Sequence, residues 1–346
     1  MTVPGTATNP LDGWQVDRAA IRHIGRDLHR PECILAEPGG TLWAADARGG
    51  VTRIDPDGSQ TLVAQSVDGH FDPERDAEGS LLHGTLPNGL AFARNGDILV
   101  SNFGTDLLEV MTRDGRTRTL CDSIDGQPLG KVNFVLRDSR DRIWLTVSTR
   151  INPWSDAIRN DLADGYVALL DDRGLRIVAD GFAFANEIRL DAKEEWLYIA
   201  ETCGKRVSRM RVGEDGALSG REVYGPENLG HGLVDGIAFD AFGNLWCTMI
   251  FADRLVAITP DGRALTLLDD GDPAATDAFE RAFATGRAVP FEVLKAAHGT
   301  LAPWMASVTF GGPDLRVVCL GSLLGRTIPS FRAPVAGLPM VHWTEC

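Results

Sequence analysis

The sequence predicts an all-β fold, a six-bladed β-propeller with four antiparallel strands per blade and a short helical lid insertion. Two observations lead to this prediction: a unit of short apolar runs recurs six times, and tight turns close most copies. The most complete copy, Leu233 to Gly262, has three apolar runs joined by turns, which is typical of an antiparallel meander. A meander repeated in this way indicates a propeller, whose blades are four-stranded sheets around a central channel.

A polar residue opens each copy and fixes the register of the repeat. In the copy above, Asp235 precedes Trp246 of the second apolar run by eleven positions, and the same spacing joins Glu32 to Trp43. The tryptophans of the second runs are predicted to be blade core. The six opening residues are Glu32, Asn88, Asn133, Asn186, Asp235 and Ser307.

Glycine-containing turns close the third run in five of the copies. Asp-Gly suits a two-residue hairpin because both central residues can take positive φ, and a further apolar stretch such as 264–267 follows each turn as a fourth strand. The blades of a single domain spanning 1–346 are predicted to begin near residues 31, 87, 131, 185, 234 and 306. A linear solenoid would need polar capping repeats, which the sequence lacks. Instead, residues 14–24 are predicted to close blade six as its outermost strand.

Composition limits the classes of partner. With 44% hydrophobic residues and 38 glycines, the chain is typical of a turn-rich globular protein. A net charge of −14 argues against nucleic acid and anionic membranes, which attract clustered Lys and Arg, so a small-molecule partner is expected. Six cysteines without a C-x-x-C pair and an N-terminus without a signal-peptide pattern indicate reduced thiols in a cytoplasmic protein. The oligomeric state is not readable.

Three long insertions are predicted to emerge on the face of the propeller where the opening residues lie. They are residues 64–85 before blade two, 148–164 within blade three and 269–305 before blade six. Apolar spacing in the last one predicts two short helices interrupted at Pro290. Together the insertions are expected to form a lid.

The six opening side chains should converge at one mouth of the channel, and each of them offers oxygen. Convergent carboxylate and amide oxygens without His or Cys favour a hard divalent cation, with Ca²⁺ as the first choice and Zn²⁺, Mn²⁺ or Mg²⁺ as possibilities. Glu32 and Asp235 are predicted to offset the metal charge, with Asn133 and Asn186 as neutral ligands. Asn88 and Ser307 are predicted to bind water or substrate.

A simpler interpretation makes the opening residues turn residues, because Asn or Asp before Gly commonly starts a hairpin. It fits Asn88, which precedes Gly89, but does not explain why Glu32 and Asn133 share the register without a following glycine.

Some further residues are weaker candidates. His70, His83 and His231 fall on the predicted active face and are proton-shuttle or substrate-binding candidates, the alternative being hydrogen-bonded loop residues. Phe134, Trp154 and Trp304 are candidates for an apolar pocket, although loop aromatics commonly only pack their own loops.

With these residues in register, the chain resembles the family of senescence marker protein, gluconolactonase and luciferin-regenerating enzyme from about residue 31 to 332. The resemblance implies a six-bladed propeller with one central divalent metal and implies Glu32, Asn186 and Asp235 as its ligands. Asn133 matches a further Asn that binds the metal in related phosphotriesterase-like propellers and lies in the substrate pocket of lactonases.

Departures from the family pattern occur beside these positions. Sugar-lactonase members resemble R-x-N-D around the third-blade Asn, whereas this chain reads Lys131-Val132-Asn133-Phe134, and Lys lacks the planar fork of Arg. Cys33 and Glu187 stand where Gly is common. These changes favour a substrate less polar than a sugar-acid lactone.

The sequence therefore predicts a metal-dependent lactonase in which the cation polarises the ring carbonyl and Asp235 assists attack by water as general base, or less readily acts as nucleophile. Lys131 or Asn133 is predicted to stabilise the oxyanion. The alternatives are hydrolysis of a phosphotriester or another ester at the same metal, a non-enzymatic binding module, and a condensation enzyme similar to strictosidine synthase.

Overall fold

Six antiparallel sheets of four strands make up the computed structural model. The structure describes residues 8–67, 72, 74 and 79–345. The first strand, β1 (Arg22–Ile24), precedes blade one. Blades one to three contain β2 (Ile34–Ala36), β3 (Leu42–Asp46), β4 (Gly50–Ile54), β5 (Gln60–Ala64); β6 (Pro87–Phe92), β7 (Ile98–Asn102), β8 (Leu107–Met111), β9 (Thr117–Cys121), with a small hairpin β10 (Ser123–Ile124) and β11 (Gln127–Pro128); and β12 (Val132–Arg137), β13 (Ile143–Val147), β14 (Gly165–Asp171), β15 (Gly174–Phe182).

Blades four to six follow the same plan. Their strands are β16 (Ala185–Leu190), β17 (Trp196–Glu201), β18 (Arg206–Val212), β19 (Leu218–Tyr224); β20 (Leu233–Phe239), β21 (Leu245–Ile250), β22 (Arg254–Ile258), β23 (Ala264–Asp269); and β24 (Met305–Gly311), β25 (Val317–Ser322), β26 (Ile328–Arg332). The predicted six-bladed β-propeller is confirmed.

The ring closes through the first and last blades. The innermost strands of neighbouring blades pack side by side, including β24 of blade six against β2 of blade one. On the outside, β1 pairs antiparallel with β26, with Arg22 opposite Ser330 and Ile24 opposite Ile328. The outer strand of blade six thus comes from the N-terminal part of the chain and covers only three of the residues in 14–24.

An irregularity interrupts five of the six innermost strands at the opening position of the repeat. The pairing shifts between Pro87 and Leu90 in β6, and the other shifts lie at 132/134, 185/188, 234/237 and 305/308. A bulge of this kind re-aims a side chain that a regular pleat would send elsewhere. The opening residues therefore lie within strands β6, β12, β16, β20 and β24, and only Glu32 stands before its strand.

The glycines after two of these residues do not form turns. A Cβ on Gly89 would lie 2.7 Å from Cα of Phe134, and a Cβ on Gly236 would lie 2.4 Å from the carbonyl oxygen of Ala306. Each glycine permits close contact with the backbone of the next blade. The hairpin interpretation of Asn88-Gly89 is therefore wrong.

The predicted blade-core tryptophans are confirmed. Trp43, Trp144 and Trp246 are all buried. The indole nitrogens of Trp144 and Trp246 donate to Asp138 and Asp240 at 2.9 Å.

Two helices form in the insertion before blade six, as predicted. Helix α2 (Pro273–Phe283) follows α1 (Gly79–Leu82), and α3 (Phe291–Ala296) starts directly after Pro290. The Asp272 side chain caps α2 through the backbone N–H of Ala275 at 2.8 Å. Glu280 fastens α2 to the propeller, because it accepts from Lys205 at 2.6 Å and from the N–H of Gly232 at 2.8 Å.

Helical structure outside the α-helices is limited, among the described residues, to short 3-10 turns. Single 3-10 turns cover Arg18–Ala20, Trp154–Ala157 and Val341–Trp343. The insertion at 148–164 carries the second of these turns, while most of 68–78 lies outside the described residues.

Five cysteines are free thiols, and Cys346 lies outside the described part of the chain. Within that part, no helix is long and apolar enough to cross a membrane. The cytoplasmic location stays a prediction.

Candidate metal and substrate site

A cavity of about 40 Å³ lies at one mouth of the channel, where the opening residues of the blades meet. Five of the six opening residues line it, so the predicted convergence is observed for these five. The polar lining residues are Arg30, Glu32, Asn88, Asn133, Asn186, Thr202 and Asp235. Apolar side chains complete the wall: Phe103, Trp154, Ile158, Phe184, Ile250, Phe251 and Leu323.

Glu32 is held by one carboxylate oxygen and leaves the other without a partner. The Asn88 amide donates to Oε1 of Glu32 at 3.1 Å and to the carbonyl of Asn133 at 3.0 Å, while its own oxygen accepts from Arg30 at 2.6 Å. Oε2 of Glu32 is buried without a hydrogen bond. Asn88 therefore orients Glu32, and its predicted role in binding water or substrate stays a prediction.

Asn186 shows the same arrangement. Its amide nitrogen donates to Oγ1 of Thr202 at 3.1 Å, which fixes the amide plane, and its Oδ1 is buried without a hydrogen bond. A buried polar atom without a partner costs roughly 1–3 kcal/mol. Two such oxygens at one cavity indicate a group that they bind.

The electrostatics of the site favour a cation. Burial raises the pKa of Glu32 to about 8. Burial also raises the pKa of Asp235 well above its usual range, and the carboxylates of Glu32 and Glu187 raise it further. Carboxylates crowded away from water resist ionisation unless a positive charge joins them.

Two buried arginines partly compensate these acids, and the sequence analysis missed both. Arg30 donates to the carbonyl of Pro87 at 3.2 Å as well as to Asn88, and its Nε has no partner. Deeper in the channel, Arg189 pairs with Glu187 at 2.8 Å and lies over the ring of Phe134. Burial raises the pKa of Glu187 to about 7, and Arg189 opposes this shift.

Ser307, Lys131 and Phe134, all predicted site residues, do not line the cavity. The Ser307 hydroxyl donates to the carbonyl of Glu32 and so joins blade six to blade one. Lys131 forms an ion pair with Asp106 at 3.0 Å. Phe134 is buried in the core beneath Arg189. The roles predicted for Lys131 and Phe134 as oxyanion-binding and substrate-binding residues stay predictions.

The remaining aromatic and histidine candidates also divide into residues that line the cavity and residues that do not. Trp154 lines the cavity, and its indole donates to the carbonyl of Leu81 at 3.0 Å. Trp304 is fully buried behind it. His83 and His231 are exposed and do not line the cavity, and His70 lies outside the described residues.

Hydroxyl residues that support the bulges were also missed, although the repeat carries their signal. Ser101 and Thr248 each lie thirteen positions after an opening residue, as does Thr146. Ser101 accepts the N–H of Gly89 at 2.8 Å and donates to the carbonyl of Asn133 at 2.6 Å. Thr248 makes the corresponding bonds to Gly236 and Ala306, so these hydroxyls fix each bulge against the next blade.

The donors present fit a hard divalent cation. Among the described residues, no group of three or more His, Cys, Asp or Glu side chains could hold a metal ion. The site instead combines two carboxylates with amide oxygens, and carboxylate and amide oxygens are the donors that Ca²⁺ accepts. The oxygens that the cavity offers to such an ion are the unpartnered ones of Glu32 and Asn186 and those of the buried acid Asp235.

The fold and this site define a six-bladed propeller with an oxygen-rich centre at one channel mouth. The model of the SMP-30/gluconolactonase/LRE-like region matches residues 31–276, and the chain belongs to this family.

Several relatives can be aligned with the chain. It is 25% identical over 247 residues to pentonolactonase XacC of Haloferax volcanii, covering 71% of this chain and 70% of that one. It is 26% identical over 241 residues to the adipocyte plasma membrane-associated protein of Rattus norvegicus, covering 66% of this chain and 61% of that one. A calcium-binding protein, regucalcin, from Agrobacterium tumefaciens superposes with a TM-score of 0.61 at 14% identity, covering 92% and 96% of the two chains.

Proposed function

We propose that this protein is a divalent-metal-dependent lactonase that uses Ca²⁺. One observation carries the proposal: oxygens of Glu32 and Asn186 are buried without partners in a cavity that Asp235 shares. The name of the Haloferax relative supports lactone hydrolysis, and the regucalcin structure supports calcium.

The proposed ligands are Glu32, Asn186 and Asp235, with Asn133 as a further oxygen donor. Asn88 and Thr202 orient the first two through hydrogen bonds that leave one oxygen of each ligand directed to the cation. Partners of this kind fix ligand geometry and commonly change metal affinity 10- to 100-fold when removed, by a rough estimate.

When bound, a divalent cation polarises the lactone carbonyl and lowers the pKa of water. Asp235 accepts the proton of the attacking water, a task that its location in the cavity supports. The apolar side chains that line the cavity limit the access of bulk water. This strengthens the charge interactions among the polar lining residues, which form the floor of the cavity. The products are the hydroxy acid and the regenerated site.

A hydrolysis panel tests the proposal. Purified protein treated with chelator and then reloaded with Ca²⁺, Mg²⁺, Mn²⁺ or Zn²⁺ is assayed on lactones, carboxylic esters and a phosphotriester. We expect calcium-dependent lactone opening that falls at least about 100-fold in Asp235→Asn, because a charged ligand and the base are lost together.

The matched control is Asp57→Asn, which changes an aspartate in an exposed turn. Calcium binding without hydrolysis of any substrate would favour a binding module. Preferred turnover of the phosphotriester would favour the alternative hydrolase, and full activity of Asp235→Asn would exclude the assigned role of Asp235.

A further inference from the structure

The wall above the polar floor is apolar over most of its circumference. Five of the six blades contribute to it, and its seven members are Phe103, Trp154, Ile158, Phe184, Ile250, Phe251 and Leu323. A lactone whose carbonyl faces Asp235 must place its ring substituents against these side chains. The wall therefore determines which substituents are tolerated.

Four of the seven wall residues occupy two neighbouring positions of the repeat. Phe103 and Ile250 each lie fifteen positions after the opening residue of their blade, and Phe251 and Leu323 lie sixteen positions after theirs. These positions follow or end the second strands β7, β21 and β25, directly above the oxygen-bearing side chains. In blades two, five and six the register thus places apolar side chains at the channel mouth, whereas blade four has Thr202 at the corresponding position.

Contacts with the lid insertion hold the apolar layer in place. Ring centroids of Phe103 and Trp154 are 6.1 Å apart, and those of Trp154 and Trp304 are 6.5 Å apart. Phe251 contacts Trp304 at 5.2 Å and stacks on Phe279 of α2 at 5.0 Å. Phe103, Trp154 and Phe251 are thus joined to the lid insertion by contacts between aromatic rings. A polar group could replace these rings at the cavity only if the lid repacked.

The polar floor has few groups left for substrate hydroxyls. Asn88 uses both ends of its amide within the protein, and Arg30 donates to Pro87 and Asn88, which leaves its Nε as one buried donor without a partner. Thr202 accepts from Asn186. A polyhydroxylated ring would lose its hydration without gaining matching partners, which costs roughly tenfold or more in affinity for each unpartnered hydroxyl.

We propose that the substrates are lactones with apolar substituents, such as alkyl-substituted γ-lactones, and not sugar lactones. This inference rests on the proposed lactonase function. Each methylene that moves from water into the apolar wall improves kcat/KM by roughly fourfold.

A pair of five-membered lactones tests the inference. The calcium-loaded protein is assayed on γ-heptalactone, which carries an alkyl chain, and on a pentono-1,4-lactone, which carries hydroxyls on the same ring. We expect kcat/KM at least tenfold higher for the alkyl lactone, and a rise with chain length from γ-valerolactone to γ-heptalactone. A preference for the pentonolactone would overturn the inference and leave the lactonase proposal standing. Hydrolysis of neither lactone would overturn both.

A variant of the wall supplies a second measurement. Ile250→Thr keeps a β-branched side chain but places a hydroxyl at the cavity, and it should lower the alkyl-to-sugar preference severalfold. The control is Ile258→Thr, a fully buried isoleucine of the same blade that does not line the cavity. Equal preferences in the wild type and Ile250→Thr would show that the wall does not select substrates.

Discussion

The carboxyl group of Glu32 is subject to two opposing effects: burial favours its protonated form, and cation binding requires its ionised form. Burial raises its pKa from 4.5 to about 8, whereas a cation binds only the ionised carboxylate. Without a cation, the folded protein holds this proton more tightly than the unfolded chain does. The contribution of Glu32 to the free energy of unfolding therefore falls as the pH rises from about 4.5 to about 8, and this contribution changes little beyond either limit.

Calcium affinity should rise over the upper part of this window. Because binding displaces protons from Glu32 and from Asp235, whose pKa values are both raised, we expect the association constant to increase by about tenfold or more per pH unit between pH 6 and pH 8. Isothermal titration calorimetry at pH 6, 7 and 8 measures the increase. The exposed-turn variant Asp57→Asn should keep the same slope, and an affinity independent of pH would contradict the proton displacement.

At the scale of elements, the bulged inner strands depend on close contact between blades. Gly236→Ala should lower the free energy of unfolding by roughly 1–3 kcal/mol or more, because the added Cβ would lie 2.4 Å from the carbonyl oxygen of Ala306. Gly39→Ala is the matched control, since a Cβ there would meet no heavy atom within 4 Å. Urea denaturation of both variants checks the difference, and equal stabilities would contradict the packing argument.

The buried carboxylate of Asp253 holds the end of the lid insertion, next to Asp270, which accepts the N–H groups of Thr300 and Leu301. Asp253 accepts the backbone N–H groups of Gly299, Trp304 and Met305 at 2.7, 3.2 and 2.8 Å. Asp253→Ala leaves these donors without an acceptor and should cost roughly 2–5 kcal/mol and expose the insertion to protease. Limited proteolysis tests this, with the exposed α2 variant Asp277→Ala as control, and equal cleavage of the two variants would contradict the role of Asp253.

The repeat explains which elements were predictable. The spacing of eleven residues between Asp235 and Trp246 recurs in the other copies of the repeat. The number of blades, the opening residues and the blade-core tryptophans could therefore be predicted from the sequence. The two lid helices were predicted because their apolar spacing is local and Pro290 separates them. The pairing of Lys131 with Asp106 depends on side-chain geometry that the sequence does not encode locally.

Other features escaped prediction for different physical reasons. Arg30 reaches the site because its backbone is left-handed, with φ of 57°. No turn motif in the sequence predicts this conformation. The hydrogen bonds that Ser307 and Asn88 make to the neighbouring blade one were not predicted, although both residues occupy the opening register. Contacts of this kind between blades form only when the ring is closed.

For the whole molecule, the proposed cation would join blades that are distant in sequence. Glu32 belongs to blade one, Asn186 to blade four and Asp235 to blade five. Blade one is in turn joined to blade six by the Ser307 hydroxyl, and blade six is closed by β1. A single ion at the channel mouth should therefore stabilise the ring as a unit.

Calcium at 100 times its Kd should raise the free energy of unfolding by about 2.7 kcal/mol in one cooperative transition. Hydrogen exchange should then slow together in β2, β16 and β20, because one ion contacts residues in or beside all three strands. The outer strand β9 serves as an internal reference for local effects, and Asp235→Asn as the variant that should lose the response. Protection confined to one blade, or equal protection in Asp235→Asn, would show that the cation does not bridge the ring.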